Sequence, residues 1–122
     1  KHVILWNLKD EFSEEEKKQI KAGIKEDKII LDPGIGFAKD TDQNLQVISE
    51  IKPLTQLGFP VLLGVSRKSV IGNVLKLPVE ERLYGTLALN MFGILNGVSF
   101  IRVHDVKEHV QAIKMLEALK NS

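Results

Sequence analysis

The sequence has 122 residues, which is enough for one domain at most. It has 17 Lys and Arg against 16 Asp and Glu, a net charge of +1, and this balance argues against nucleic-acid binding. The absence of cysteine excludes disulfide scaffolds, thiolate metal sites and cysteine nucleophiles. The sequence begins with Lys1 and shows no signal-peptide pattern, so we expect a soluble protein and a piece of a longer chain.

Four short apolar runs predict strands that are buried on both faces. In chain order they are Val3–Trp6, Ile29–Leu31, Val61–Val65 and Phe100–Val103. A helical pattern follows each run, and four such units predict a parallel α/β fold with right-handed crossovers. An eight-unit barrel needs roughly 250 residues, so the chain is either a complete four-stranded domain or half of a barrel.

Helix boundaries are marked by capping residues and glycines. Capping boxes are predicted at Ser13 with Glu16, Asp40 with Gln43 and Asp105 with Glu108, and left-handed helix ends at Gly23, Gly58 and Gly97. In the last helix we expect Val106, Val110, Ile113 and either Leu116 or Met115 to form the core-facing stripe.

Residues 83–101 carry no charge, which raises the question of a membrane span. Three glycines and two asparagines interrupt this stretch, and they are poor choices for a lipid-facing helix. We therefore predict a buried helix, a turn and a buried strand, and no membrane partner.

In parallel α/β folds the ligand lies at the carboxyl ends of the strands. Asp32 directly follows the second run, where its carboxylate suits a planar edge with two N–H donors, or holds the loop as a turn residue. Gly34 and Gly36 allow close backbone approach or a tight turn, and no dinucleotide fingerprint is present. Phe37 is either a stacking surface for an aromatic ligand or a core residue.

The third and fourth loops add cationic groups. Lys68 is either a donor to a bound heterocycle or a solvated side chain, and Ser69 is able to cap the next helix. Arg102 stands in an apolar run, where a charge needs a partner, and alternation places it on one face with His104. The pair predicts an anion site, with a structural Arg102–Asp32 salt bridge as the alternative. No second ligand stands at metal spacing from His104, so we predict no metal ligand in this chain.

Three phrases together resemble dihydropteroate synthase. They are Leu31-Asp32-Pro33-Gly34-Ile35-Gly36-Phe37, Gly64-Val65-Ser66-Arg67-Lys68-Ser69 and Arg102-Val103-His104-Asp105-Val106. They are similar to the phrases at the ends of that family's sixth, seventh and eighth barrel strands, in the same order. The resemblance implies that residues 1–122 are the C-terminal half, strands five to eight, of a TIM (β/α)8 barrel.

The resemblance also implies an activity, the condensation of 6-hydroxymethyl-7,8-dihydropterin pyrophosphate with para-aminobenzoate in folate biosynthesis. By this resemblance Asp32 and Lys68 bind the pterin, Arg102 and His104 hold the pyrophosphate, and Phe37 and Ser69 line the aminobenzoate pocket. Lys68, Arg102 and His104 are the catalytic candidates. Where the family commonly has Met-His near the end of strand five, this sequence has Trp6-Asn7.

The resemblance implies several further properties. One is a bound Mg²⁺, whose ligand is an Asn of the first barrel loop; this sequence does not contain that loop. The others are a cytoplasmic homodimer formed through the late helices and inhibition by sulfonamides. The isolated segment is expected to be inactive. Two alternatives remain, a non-catalytic self-associating half-barrel and a pterin-binding methyltransferase domain.

Overall fold

Parallel strands alternate with helices along the chain. The computed structural model describes residues 2–5 and 29–122. In chain order its elements are β1 (His2–Leu5), β2 (Ile29–Asp32), α1 (Thr41–Ser49), α2 (Ile51–Thr55), β3 (Leu62–Leu63), α3 (Ser69–Leu75), a 3-10 turn (Val79–Glu81), α4 (Leu83–Leu95), β4 (Phe100–Ile101) and α5 (Val106–Lys120). The predictions for Trp6, Asn7, the Ser13–Glu16 cap and Gly23 lie outside the described residues.

The strands follow one another in sequence order and all run parallel. β1 pairs with β2 over its full length, from His2 opposite Ile29 to Leu5 opposite Asp32. β3 pairs with β4, and a parallel bridge between Leu31 and Val61 joins the two pairs. Consecutive order with parallel pairing is the arrangement of a barrel segment. The predicted parallel strand–helix units are therefore confirmed, although β3 and β4 are shorter than their apolar runs.

The core forms where β2 and β3 meet the helices. Fully buried strand residues pack with helix residues in one cluster, which includes Ile29, Leu31, Val61, Leu63, Val65, Val47, Ile48, Ile51, Leu54, Val70 and Ile71. The prediction of strands buried on both faces holds for β2 and is wrong for β4. There Phe100 is 43% exposed, whereas Ile101, on the opposite face of the strand, packs against the core cluster, so one face alone is covered.

Two predicted helix boundaries take the expected form. The Asp40 carboxylate accepts from the Gln43 N–H at 2.8 Å, and the Gln43 side chain accepts from the Asp40 N–H at 2.9 Å, which completes a capping box. Gly97, with φ of +102°, ends α4, where Gly97 and Val98 donate to the carbonyls of Ile94 and Gly93 in a Schellman motif. At both places the residues next to the helix end are enough to predict its structure.

The predicted capping box at Asp105 is wrong. Asp105 occupies the N-cap position of α5, but its side chain caps nothing there. Its carboxylate instead pairs with Arg67, with an Nη2–Oδ1 distance of 2.8 Å. A charged partner from another loop replaces the local hydrogen bonds, because the Arg67 guanidinium offers the carboxylate two N–H donors together with an opposite charge.

The late helices are less buried than predicted. In α5 the residue in the core is His109, whereas Val106, Val110 and Met115 of the predicted stripe are exposed. Most of α4 is also open, and only Thr86, Asn90 and Gly93 are buried in it. The buried helix predicted within residues 83–101 is therefore a helix with one buried edge. Among the helices of residues 29–122, none has the length and apolar character needed to cross a bilayer.

Candidate active site at the carboxyl ends of the strands

The end of β2 supplies a buried carboxylate. Asp32 has a side chain that is 7% exposed, and its Oδ1 accepts from the Gly34 N–H at 2.8 Å. Its Oδ2 lies 3.8 Å from Nη1 of Arg102. Both the turn role and the ion pair foreseen as structural alternatives are therefore present. The long second contact leaves Oδ2 able to accept hydrogen bonds from a ligand.

The loop after β2 is shaped by two glycines. Gly34 and Gly36 have φ of +70° and +87°, a region that side chains rarely adopt. The Gly36 N–H donates to Oδ1 of the buried Asn44 in α1 at 2.9 Å, which ties the loop to the helix shell. This conformation leaves the Phe37 ring 57% exposed, so the alternative of a core phenylalanine is wrong.

Lys68 extends from the third loop onto this glycine loop. Its Nζ donates to the Ile35 carbonyl at 2.6 Å and lies 5.3 Å from the centre of the Phe37 ring. Burial lowers the pKa of Lys68 below the ordinary value of 10.5, and the positive charge of Arg102 lowers it further. The Asp32 carboxylate opposes this shift of the pKa. Lys68 therefore contacts the glycine loop, and the alternative of a solvated side chain is wrong.

Two neighbouring recesses share Lys68. One, of about 210 Å³, is lined by Ile35, Gly36, Phe37, Lys68 and Ser69. The other, of about 140 Å³, is lined by Gly64, Ser66, Lys68, Arg102, Val103 and His104. The first presents an aromatic ring and backbone, and the second presents cationic groups and a hydroxyl. A ligand with an aromatic part and an anionic part matches this division.

Arg102 lies across the end of β3. A Cβ at Gly64 would come within 2.9 Å of the Arg102 Cζ, so the absence of a side chain there makes room for the guanidinium. The Arg102 side chain is 57% exposed, because it leaves the sheet one residue after β4 ends. The expectation of a buried strand arginine is wrong.

His104 is held by the neighbouring loop. Its Nδ1 lies 2.7 Å from the hydroxyl oxygen of Ser66, which also accepts from the His104 backbone N–H at 3.2 Å. Arg102 and His104 both line the smaller recess, as the alternation of the strand predicts.

An ion pair joins the loops that carry Lys68 and His104. Arg67 contacts Asp105 through Nη2 at 2.8 Å and Nε at 3.3 Å. This hydrogen-bonded pairing lowers the pKa of Asp105 and raises that of Arg67. The backbone of Arg67 is left-handed, with φ of +59°, and it is fixed by the Thr86 hydroxyl and the Arg82 guanidinium. Several interactions therefore fix the backbone conformation of the loop from which Lys68 extends.

The described residues do not form a metal site. Within residues 29–122, no three His, Asp or Glu side chains stand close enough to hold an ion. Asp32 has one oxygen occupied by Gly34 and the other facing a guanidinium. This donor set does not fit Mg²⁺, which prefers several oxygen ligands.

Five of the six predicted site residues line the two recesses: Phe37, Lys68, Ser69, Arg102 and His104. The sixth, Asp32, lines neither recess and lies 3.8 Å from the Arg102 guanidinium. Ser69 is the first residue of α3 and is exposed. The predicted cap by Ser69 is wrong, because Lys68 is the N-cap residue and α3 has no side-chain cap. Sequence reasoning assigned no role in the site to Ser66, Arg67 or Asp105, and gave Asp105 a helix cap alone. All three stand within the quoted phrases, but their partners lie 38 residues away, which local patterns do not reveal.

A family profile described as "pterin binding enzyme" matches residues 4–104. A dihydropteroate synthase of Clostridium beijerinckii is 50% identical over 99 residues, which cover 80% of this chain and 37% of that protein. The Bacillus subtilis dihydropteroate synthase is 46% identical over 118 residues, which cover 97% of this chain and 41% of that protein. The chain thus spans about two fifths of the length of these relatives.

Solved structures give the same result. A Clostridium difficile dihydropteroate synthase, crystallised in the presence of pteroic acid, superposes with a TM-score of 0.83 at 46% identity, covering 92% of this chain and 43% of that one. A Yersinia pestis dihydropteroate synthase with a pterine–sulfa conjugate superposes with a TM-score of 0.82 at 38% identity, covering 87% and 41%. These matches confirm the fold class and the resemblance seen in the sequence, and they favour neither alternative.

Proposed function

We propose that this chain, which belongs to the pterin binding enzyme family, supplies the pterin and pyrophosphate subsites of a dihydropteroate synthase. The observation that carries the proposal is the convergence of one ammonium, one guanidinium and one imidazole on two recesses that share Lys68, with the Asp32 carboxylate 3.8 Å from the guanidinium. The reaction joins para-aminobenzoate to 6-hydroxymethyl-7,8-dihydropterin pyrophosphate. It yields 7,8-dihydropteroate and pyrophosphate.

Asp32 and Lys68 form the hydrogen bonds with the pterin ring, Asp32 as acceptor and Lys68 as donor. Oδ2 of Asp32 accepts from the amino-pyrimidine edge, since its Oδ1 is already engaged by Gly34. Lys68 donates to the ring oxygen and nitrogen with the N–H groups that the Ile35 carbonyl leaves free. Burial of Asp32 and partial burial of Lys68 strengthen these bonds, because fewer water molecules compete for them.

The leaving group is stabilised by Arg102 and His104. In the proposed reaction the bond between the pterin methylene carbon and the pyrophosphate oxygen breaks, and the electron pair leaves with pyrophosphate. The aminobenzoate nitrogen then bonds to the methylene carbon and loses a proton. Negative charge grows on the pyrophosphate, so the guanidinium and the imidazole contribute most by contacting it there.

The second substrate occupies the recess beside Phe37. The exposed ring offers a face for the aromatic amine, and Ser69 lines the same recess. A sulfonamide resembles para-aminobenzoate in shape, so we include sulfonamides among the ligands of this recess.

Mg²⁺ is part of the proposal, as an ion that neutralises pyrophosphate charge. Because the described residues do not fit it, we assign its ligand to an Asn of the first loop of the parent enzyme, and no step above depends on it.

We further propose a cytoplasmic homodimer formed through the late helices, without a nucleic-acid partner. Exposed apolar side chains along α5, among them Val106, Val110, Met115 and Leu119, support an interface there. The net charge of +1 gives no basic surface for nucleic acid. Light scattering on the purified full-length protein tests the dimer, and a monomer would refute it.

Complementation tests the activity. We expect this chain alone to form no dihydropteroate, and to form it when mixed with the separately expressed N-terminal half of the parent enzyme. A mixture with Lys68→Ala in this chain serves as the control and should be at least tenfold less active. Folded halves that associate without activity would contradict the proposal.

The methyltransferase alternative makes a different prediction. It requires a corrinoid-protein partner, and we expect no such binding by the full-length protein in a pull-down with a purified corrinoid protein. Specific binding would favour the alternative.

A further inference from the structure

We propose that Ser66 is a positioning residue that orients the His104 imidazole and keeps its proton on Nε2, so that the ring meets the leaving group as a hydrogen-bond donor. This inference rests on the proposed function, because the leaving group is the pyrophosphate assigned there. It concerns a residue that the proposed function does not use.

Few groups are in reach of the Ser66 hydroxyl. Ser66 follows β3 and is 8% exposed, so its hydroxyl depends on protein partners. Its oxygen accepts from the His104 backbone N–H at 3.2 Å and lies 2.7 Å from Nδ1 of the same residue. Among the described residues, Nδ1 is the one acceptor for the hydroxyl proton.

A hydroxyl that donates to Nδ1 sets the state of the ring. Nδ1 must then carry a lone pair, and the proton of the neutral imidazole lies on Nε2. Within residues 29–122, Nε2 of His104 has no hydrogen-bond partner, and the ring lines the recess that also contains Arg102 and Lys68. The free N–H is therefore available to an anion in that recess.

The opposite tautomer would weaken anion binding. With the proton on Nδ1, Nε2 would present a lone pair to a phosphate oxygen, and two acceptors do not bond. Because one serine contacts both the backbone and the ring of His104, it also restricts rotation of the side chain. Restriction before binding reduces the entropy that the ring loses when pyrophosphate arrives.

The test compares Ser66→Ala with Ser66→Thr, which keeps the hydroxyl, in the full-length protein. We expect Ser66→Ala to weaken pyrophosphate binding about fivefold in calorimetry, and Ser66→Thr to stay within about twofold of the wild type. The KM for para-aminobenzoate should not change, because its recess does not include Ser66.

A double-mutant cycle with His104→Ala separates positioning from general structural support. If Ser66 acts through the imidazole, Ser66→Ala has no further effect once that ring is gone. An equal loss in both backgrounds, or an unchanged pyrophosphate affinity in Ser66→Ala, would overturn the inference.

Nitrogen NMR of the His104 ring gives a readout independent of activity. We expect a single neutral tautomer, with the proton on Nε2, in the wild type and in Ser66→Thr, and a mixture in Ser66→Ala. An unchanged tautomer and ring orientation in Ser66→Ala would overturn the inference even if that variant were less stable. Failure of the wild type to bind pyrophosphate would instead refute the proposed function.

Discussion

The substitution Gly64→Ala separates the placement of Arg102 from the stability of the fold. Gly64 is buried at the end of β3, and its φ is not among the positive values, so alanine fits its backbone. A Cβ there would meet the Arg102 guanidinium, with Cζ at 2.9 Å and Nε at 3.4 Å. The guanidinium must move, because the three atoms nearest to the added Cβ all belong to it.

The size of the effect follows from these distances. Ordinary contact begins at 3.4 Å, so Cζ retreats by at least about 0.5 Å and the terminal nitrogen by about 1 Å. The side chain is 57% exposed, so its displacement should change the free energy of unfolding by less than about 1 kcal/mol. A charge-assisted hydrogen bond to the ligand contributes roughly 1.5–3 kcal/mol. Its loss corresponds to about a 10- to 150-fold weaker affinity.

The assay is calorimetric titration of a pterin pyrophosphate analogue into the full-length protein carrying Gly64→Ala, Arg102→Ala or both. We expect the double variant to bind like Arg102→Ala, because the alanine acts only through the guanidinium. Gly93→Ala is the matched control. Its Cβ would lie 2.8 Å from Leu63 Cδ2 in the core, so it should lower stability rather than selectively weaken binding. Wild-type affinity in Gly64→Ala, or a further loss in the Arg102→Ala background, would refute the reasoning.

Three further predictions concern pH and backbone strain. Because burial lowers the pKa of Lys68, the affinity for a pterin analogue should begin to fall below pH 10.5 as the pH is raised, as measured by fluorescence titration. Lys68→Arg should not show this loss of affinity, because arginine stays charged. Constant wild-type affinity up to pH 10.5 would contradict the prediction. Because the pKa of Asp105 is lowered in the folded protein, its contribution to stability is present above pH 3.8 and is lost as the pH falls through the pKa of the folded state. In urea unfolding, the stability of Asp105→Asn should therefore fall less steeply with decreasing pH than that of the wild type. The same pH dependence in both proteins would contradict the prediction. Gly97→Ala, at φ of +102° and with its Cβ 2.7 Å from Thr55 Oγ1, should cost about 1–3 kcal/mol in chemical denaturation, and an unchanged midpoint would show that the turn relaxes.

The parts of the fold that sequence predicts are those determined by neighbouring residues. The capping box at Asp40 and the left-handed turn at Gly97 depend on groups within a few residues, and both form as expected. The apolar run 29–31 predicts a strand buried on both faces, because helices and the neighbouring strands cover it.

The errors have a common physical cause. Asp105 carries a valid capping signature, but Arg67, 38 residues earlier, offers its carboxylate a stronger partner. The stripe at Val106 and Val110 has the period of a core-facing helix, yet the buried position of α5 is His109, which bonds to Asn90 of α4. Periodicity identifies the apolar face of a helix but does not show which other element, if any, packs against that face.

The candidate site is predicted in part for the same reason. Strand ends converge in any parallel sheet, so Asp32, Lys68 and Arg102 could be assigned to one edge before their distances were known. The hydroxyl of Ser66 on the His104 ring and the position of Gly64 beneath Arg102 depend on register between strands. A single sequence does not encode that register in any local pattern.

The contact between Asp32 and Arg102 bears on how the pocket behaves before a guest arrives. At 3.8 Å, with the arginine largely in water, the attraction is weak, yet it gives the sequestered carboxylate a counter-charge in the ligand-free protein. On the proposed function, a pterin that donates to Oδ2 would replace Arg102 there without first breaking a strong bond, and Arg102 would then be free to contact pyrophosphate. Binding in the two subsites would thus be coupled through Arg102.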